Sequence, residues 1–263
     1  MRTVTNDGVA IAYTVEGDGP PVVWLQGLNA DHTAWAAQVA AFRGEFRCIL
    51  IDNRDVGRSG RADRPYRPAD MAGDVRAVLD ELGADDAHVV GLSLGGAIAQ
   101  ELALAWPEWV RSLTLVSTFA RPDARLVEVL EAWRLIYPKL GPADFARQAW
   151  PWLFTWRYFE RPSNVRALRR YGEHGIPQEP EAFARQIEAS LAHDTHDRLA
   201  TLAIPTLVVA GAEDMLVTPH LVRQLAEAIP GARYVALPEA GHSGNLEART
   251  EFNRAVRDFL RAH

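Results

Sequence analysis

The sequence predicts an α/β fold in which a mostly parallel central sheet is flanked by helices and carries an inserted helical lid. Three observations lead there. Strand-like apolar runs alternate with helix-like amphipathic ones over most of the chain, as parallel strands joined by crossover helices require. The alternation fails between Phe119 and Leu202, where helical patterns rich in Arg and aromatic residues follow one another without a convincing strand. And one strand runs into Gly91-Leu92-Ser93-Leu94-Gly95 at the head of a helix.

Size and composition bound the reading. A chain of 263 residues, 48% of them hydrophobic, can bury one large core. The expected division is a core of residues 1–118 and 203–263 with the lid at 119–202. The net charge of -6 argues against nucleic acid as a partner, since a basic face would normally mark it. The N-terminal "MRTVTNDGVAIAYTV" has no apolar stretch long enough for a signal peptide, and no segment approaches the roughly 20 apolar residues that span a bilayer. A cytoplasmic protein without a membrane partner is expected; homo-oligomers stay open. Cys48, the single cysteine, excludes an internal disulfide and sits in the apolar run "FRCILI", where its role is packing.

Element by element, the candidate strands are "GVAIAYTVEG", "PPVVWLQG", "FRCILID", "AHVVGL", "VRSLTLVS", "PTLVVAG" and "ARYVALP". Helical stretches fall at Thr33 to Phe42, Asp70 to Leu82, Leu94 to Ala105, His220 to Ala228 and Leu246 to Leu260. The lid holds Trp133, Trp150, Trp152 and Trp156, half of the eight tryptophans, with Tyr137, Phe154, Tyr158 and Phe159. Together these rings suggest the roof of an apolar pocket, and Trp133, Trp152, Trp156 and Tyr137 are the candidate substrate contacts.

The chemistry centres on Ser93. In a G-x-S-x-G turn between strand and helix the serine is forced into a strained conformation that pushes its hydroxyl out, and side chains at the flanking glycines would collide. A phosphate cradle also joins strand to helix, but the spacing does not match G-x-G-x-x-G and no Lys-Ser or Lys-Thr pair follows. A serine hydroxyl needs a histidine to take its proton and a carboxylate to hold that histidine's tautomer. "TLVVAGAED" offers Asp214 just after a strand, and "YVALPEAGHSGNLE" offers His242 in a loop after another.

Four pieces, "DNRDVGRS", "GLSLGG", "GAEDMLVTP" and "EAGHSGNLE", together resemble the α/β-hydrolase superfamily in order and approximate spacing, over nearly the whole chain. "DHTAW", "GLSLGGAIAQELAL" and "IPGARYVALPEAGHSGNLE" are similar to small bacterial esterases and 3-oxoadipate enol-lactonases. The resemblance implies Ser93 as nucleophile, His242 as general base and then acid, and Asp214 rather than the adjacent Glu213 as its orienter. It also implies an oxyanion hole made by the backbone N–H groups of Leu28 and Leu94, each donor worth on the order of 3 kcal/mol in a dry site. No cofactor and no metal is expected.

Two departures from the family pattern stand out. Arg54-Asp55-Val56-Gly57-Arg58-Ser59 has Asp where Arg-Gly-x-Gly-x-Ser is common, a variation similar to that of certain antibiotic-pathway methyl esterases. Gln26-Gly27 replaces the usual His-Gly before the oxyanion loop, and the Gln26 amide can still brace that loop because it both donates and accepts. Other titratable residues read as structural. Asp31 or Thr33 caps a helix, which leaves His32 as scaffolding; His88 packs or caps beside a strand, His220 begins a helix, and His193 and His196 form a solvated lid end without a third metal ligand.

These features point to hydrolysis of a small-molecule carboxylic ester or lactone through an acyl-enzyme. A lactonase of the enol-lactonase type is the alternative, with Arg134 or Arg157 of the lid to meet a substrate carboxylate; the segment Phe119 to Ala200 carries 12 basic and 11 acidic residues. From other classes stand a C–C bond hydrolase or lyase, a perhydrolase or a cofactor-free oxygenase using the same three residues, and a non-enzymatic ligand receptor. The Ser nucleophile argues against haloalkane dehalogenases and epoxide hydrolases, which in this fold resemble one another in using Asp.

Overall fold

The computed structural model describes residues 1–174 and 176–263. Its strands are β1 (Arg2–Asn6), β2 (Val9–Glu16), β3 (Pro21–Leu25), β4 (Arg47–Ile51), β5 (Ala87–Leu92), β6 (Val110–Val116), β7 (Thr206–Gly211) and β8 (Arg233–Leu237). They form one sheet in the order β1-β2-β4-β3-β5-β6-β7-β8. The β1–β2 and β2–β4 pairs are antiparallel, and every pair from β4 to β8 is parallel.

The central strands are apolar throughout because both faces are covered. Val23 and Leu25 of β3 pack into the larger core with Val89, Leu113 and Val208, whereas Val22 and Trp24 face the second core with Trp35, Phe42, Phe252 and Phe259. Side chains two apart along a strand share a face, so one strand feeds two cores. Cys48 is buried in the second core, where burial pushes its thiol up to about 11.

Core helices follow the sequence pattern closely. They are α1 (Ala36–Phe42), α2 (Pro68–Leu82), α3 (Leu94–Ala105), α8 (Pro219–Ala228), α9 (Gly244–Glu247) and α10 (Arg249–Ala262). Two expected helices are divided. Thr33 to Phe42 begins as a 3-10 turn, His32–Trp35, before α1, and Leu246 to Leu260 breaks at Ala248 between α9 and α10. The edge strand β1 was absent from the sequence expectation; its outer residues are largely exposed, so it lacks the apolar run used to find strands. Asp7 and Gly8, with φ of 50° and 77°, form the tight hairpin turn that betrays it.

Between β6 and β7 lie α4 (Ala124–Leu153), α5 (Trp156–Phe159), α6 (Pro162–His174) and α7 (Pro180–Leu191). This is the inserted helical lid. Within α4 the helical path is broken at Gly141, whose φ of 71° and ψ of 171° turn the chain. Among the described residues no helix is long and apolar enough to cross a membrane.

Candidate active site

Ser93 stands between β5 and α3 with φ of 56° and ψ of -120°, a backbone conformation that non-glycine residues adopt only when the surroundings impose it. The surroundings here are tight. A Cβ on Gly91 would lie 2.3 Å from the Gly95 oxygen, and one on Gly95 would lie 2.3 Å from the Leu25 oxygen. Ser93 N donates to Val116 O at 3.0 Å, and Thr118 Oγ1 donates to Ser93 O at 2.7 Å. The turn is thereby fixed against the neighbouring strands β3 and β6.

Asp214 follows β7 and is buried. Its Oδ1 accepts N–H groups from Leu216 at 2.8 Å and Val217 at 3.0 Å, which leaves Oδ2 aimed at His242 Nδ1, 2.9 Å away. With Nδ1 donating to the carboxylate, Nε2 is the ring's acceptor. Glu213 turns outward instead and pairs with Arg157 at 2.8 Å. The His242 loop after β8 is tied down on both sides: Gly241 N donates to Glu247 Oε1 at 2.8 Å, and Ser243 N donates to Leu153 O of the lid at 2.9 Å. Glu247 also accepts from Thr155 N and Oγ1, at 2.9 and 2.6 Å. Burial raises the Glu247 carboxyl while these donors oppose the shift.

Ser93 and His242 line one cavity of about 430 Å³ beneath the lid. Its floor includes Leu28, Asn29 and Leu94, and its roof comes from α4 and α6, with Leu126, Leu130, Trp133, Trp150, Leu168 and Tyr171. Among the described lining residues none is Asp, Glu, Lys or Arg. Leu94, first residue of α3, has an N–H that its own helix leaves without an acceptor. Leu28 N–H likewise donates to no described residue, whereas its neighbours are engaged: Gly27 N donates to Gln26 Oε1 at 3.0 Å and Asn29 N to Gln186 Oε1 at 3.1 Å.

Of the four lid residues expected at the pocket, Trp133 lines it and three stand off it. Tyr137 is buried within the lid, stacked on Phe183 at 4.0 Å and donating its hydroxyl to Gln178 O. Trp152 lies under the Arg125 guanidinium, and Trp156 is 64% exposed beside Arg157. The rings that line the cavity with Trp133 are instead Phe119, Phe145, Trp150, Phe154, Tyr158 and Tyr171. Helical spacing carries part of this signal, since Leu126, Leu130 and Trp133 share one face of α4 at i, i+4 and i+7.

The remaining candidates resolve as structure. Asp31 caps the 3-10 turn by accepting Thr33 N at 2.9 Å. His32 bonds through Nδ1 to buried Asp52 at 2.7 Å, which raises its pKa, and it does not line the cavity. His88 lies inside β5 rather than before it and pairs with Ser112 Oγ at 2.7 Å. His193 corrects the expectation of a solvated lid end: it is buried against Phe119, and desolvation pushes its pKa down to about 4. His196 is exposed. Arg134 pairs with Glu131 on the surface, so neither it nor Arg157 reaches the cavity. Among the described residues no three His, Cys, Asp or Glu side chains converge to hold a metal ion.

Asp55, the unusual residue of "DNRDVGRS", has a clear structural part. It is fully buried with φ of 71°, and its two oxygens take Arg185 Nε and Nη2 of α7 at 2.8 and 2.7 Å. The substitution of Asp for Gly thus creates an anchor for the lid.

A family model described as alpha/beta hydrolase fold matches residues 20–248. The chain is 34% identical over 249 residues to the Azorhizobium caulinodans protein named "Putative carbamate hydrolase RutD", covering 94% of this chain and 93% of that one. Among solved structures it is similar to the enol-lactonase from Burkholderia xenovorans LB400, with a TM-score of 0.90 and 32% identity over 99% of this chain and 100% of the other. A thermophilic esterase from Thermogutta terrifontis superposes with a TM-score of 0.88 and 28% identity, covering 99% and 96%.

Proposed function

Because the chain belongs to the alpha/beta hydrolase fold family, we propose that it is a serine hydrolase of uncharged carboxylic esters or lactones with a sizeable apolar part. In this reading Ser93 Oγ attacks the substrate carbonyl as His242 Nε2 takes its proton, while Asp214 holds the imidazole by Nδ1. The oxygen that becomes negative is met by the N–H groups of Leu28 and Leu94. Collapse expels the alcohol, which leaves with the proton from His242 and the acyl group on Ser93. Water, deprotonated by His242, then attacks the acyl-serine and releases the acid.

One observation carries the substrate class: the cavity holding Ser93 and His242 is mostly apolar, and among the described residues no Asp, Glu, Lys or Arg lines it. An uncharged ester gains from desolvation there, whereas a carboxylate loses its water and finds no cation. The names of the esterase and enol-lactonase relatives support ester or lactone cleavage. Free carbamate, suggested by the name of the Azorhizobium relative, is a small anion and is disfavoured on the same ground. So is a lactone bearing a free carboxylate, since Arg134 and Arg157 are occupied elsewhere.

The test compares p-nitrophenyl acetate, butyrate and octanoate with p-nitrophenyl hydrogen succinate, using wild type and Ser93→Ala. The expected result is turnover that favours butyrate or octanoate over the anionic ester, with a loss on the order of 10⁴-fold or more in the variant. Inert wild type removes the esterase reading, and a preference for the succinate removes the neutral-substrate reading.

A further inference from the structure

The geometry points to Gln186, a lid residue, as a positioning residue for the oxyanion hole. The inference rests on the reading of Leu28 N–H as an oxyanion donor. Gln186 lies in α7, is completely buried, and is separated from the oxyanion loop by 157 positions in sequence. Its carboxamide is used at both ends. Oε1 accepts the Asn29 N–H at 3.1 Å, and Nε2 donates to the Arg54 carbonyl at 3.2 Å. Arg185 beside it forks onto Asp55, so α7 is clamped to the core where Gln186 reaches in.

The loop needs such a clamp. Asn29 has φ of 60°, a left-handed turn that asparagine accepts more readily than other non-glycine residues, so the turn is local while its orientation is held from outside. Its N–H is part-buried beneath the lid, and the acceptor it has there is Gln186 Oε1. The two N–H groups flanking Leu28 are both consumed, Gly27's by Gln26 and Asn29's by Gln186, and Asn53 Nδ2 holds the Gln26 carbonyl at 2.9 Å. With its neighbours fixed, the peptide of Leu28 has one orientation, and its N–H donates to no described residue. Freed from Gln186, the Asn29 peptide rotates and the Leu28 donor moves with it. A donor displaced by about 1 Å costs on the order of 10²-fold in rate, while an apolar cavity continues to bind the ester. Gln186 touches no reacting atom; it acts through Asn29 on Leu28.

Steady-state hydrolysis of p-nitrophenyl butyrate by wild type, Ser93→Ala, Gln186→Met and Gln186→Glu tests this. Gln186→Met keeps the volume and loses both bonds; kcat is expected to fall about 10- to 100-fold with KM within about twofold. Gln186→Glu keeps an acceptor for Asn29 N–H and, with burial favouring the protonated acid, can still donate to the Arg54 carbonyl, so it recovers most of the lost kcat. Where Gln186→Met does not fold, Gln186→Asn, which withdraws the same amide by one methylene, replaces it with the same expectation. Wild-type kcat in the folded Met or Asn variant overturns the proposal, as does a Glu variant no better than Met. A wild type that cleaves the ester while Ser93→Ala does not leaves the esterase reading standing, so the Gln186 variants then test the positioning role by itself. An inert wild type removes the reading and the proposal with it.

Discussion

Gln26 turns its own side chain back on the next peptide, where Oε1 accepts the Gly27 N–H, and the side chain is buried against the cavity. In the proposed mechanism this keeps Gly27 from rotating and supports the donor one residue further on. Gln26→Ala is therefore expected to lower kcat on p-nitrophenyl butyrate by about tenfold, whereas Gln26→His, which can still accept from Gly27 N, retains most activity. Equal rates in wild type and Gln26→Ala would remove the bracing role. At this scale the sequence is informative wherever the proposed chemistry depends on local chain geometry. Ser93 sits in a turn whose glycines are spelled out in five letters, and Asp214 and His242 each follow their own strand within a few residues. Gln186 was silent, because its partner Asn29 is brought to it only by the docking of α7, and nothing in "FARQIEAS" distinguishes it from a solvent-facing glutamine.

The element that roofs the cavity is the lid, and its attachment through Asp55 and Arg185 can be measured. Asp55 is buried and Arg185 only partly so, with 19% of its side chain exposed. Asp55→Gly suits the left-handed backbone but leaves the guanidinium without its carboxylate and the Ala62 N–H without its acceptor. Removing one partner of a fully buried pair costs about 3 to 5 kcal/mol; the water that reaches Arg185 brings the expectation to the order of 2 kcal/mol. Urea unfolding of Asp55→Gly, Arg185→Met and the double variant should give a double change smaller than the sum of the singles. Simple additivity would mean that the pair does not couple lid and core. The lid was legible as helices because the strand pattern stops at Phe119. Which rings roof the cavity was not, since aromatic residues occur on several faces of α4 and periodicity gives spacing without saying which face meets the core. Trp150 and Trp152, two residues apart, consequently end up in different surroundings.

For the molecule as a whole, acid sensitivity follows from two histidines buried without charge. Desolvation pushes both His88 and His193 down to about 4, against an ordinary value near 6.5. The unfolded chain therefore binds protons between pH 6.5 and 4 that the folded chain refuses, so stability is full above about pH 6.5 and falls as pH drops toward 4. Between pH 7 and 5 the two together are expected to cost on the order of 3 kcal/mol, read as a shift of the urea midpoint. Replacing both by Gln should flatten that dependence, and an unchanged slope would assign it to other groups. His32 acts in the opposite sense: its bond to Asp52 raises its pKa, so its contribution is present below about pH 6.5 and fades as pH rises through the raised value.

The lid grips the core at the two loops that the proposed chemistry uses, through Gln186 on Asn29 and through Leu153 and Thr155 on the His242 loop and Glu247. It is consequently not an interchangeable part. A chimaera carrying a relative's lid on this core would inherit a new pocket roof and lose the fit of its working loops at the same time. Change of substrate range by grafting would succeed only where positions 26–29, 55 and 241–247 travel with the helices that hold them.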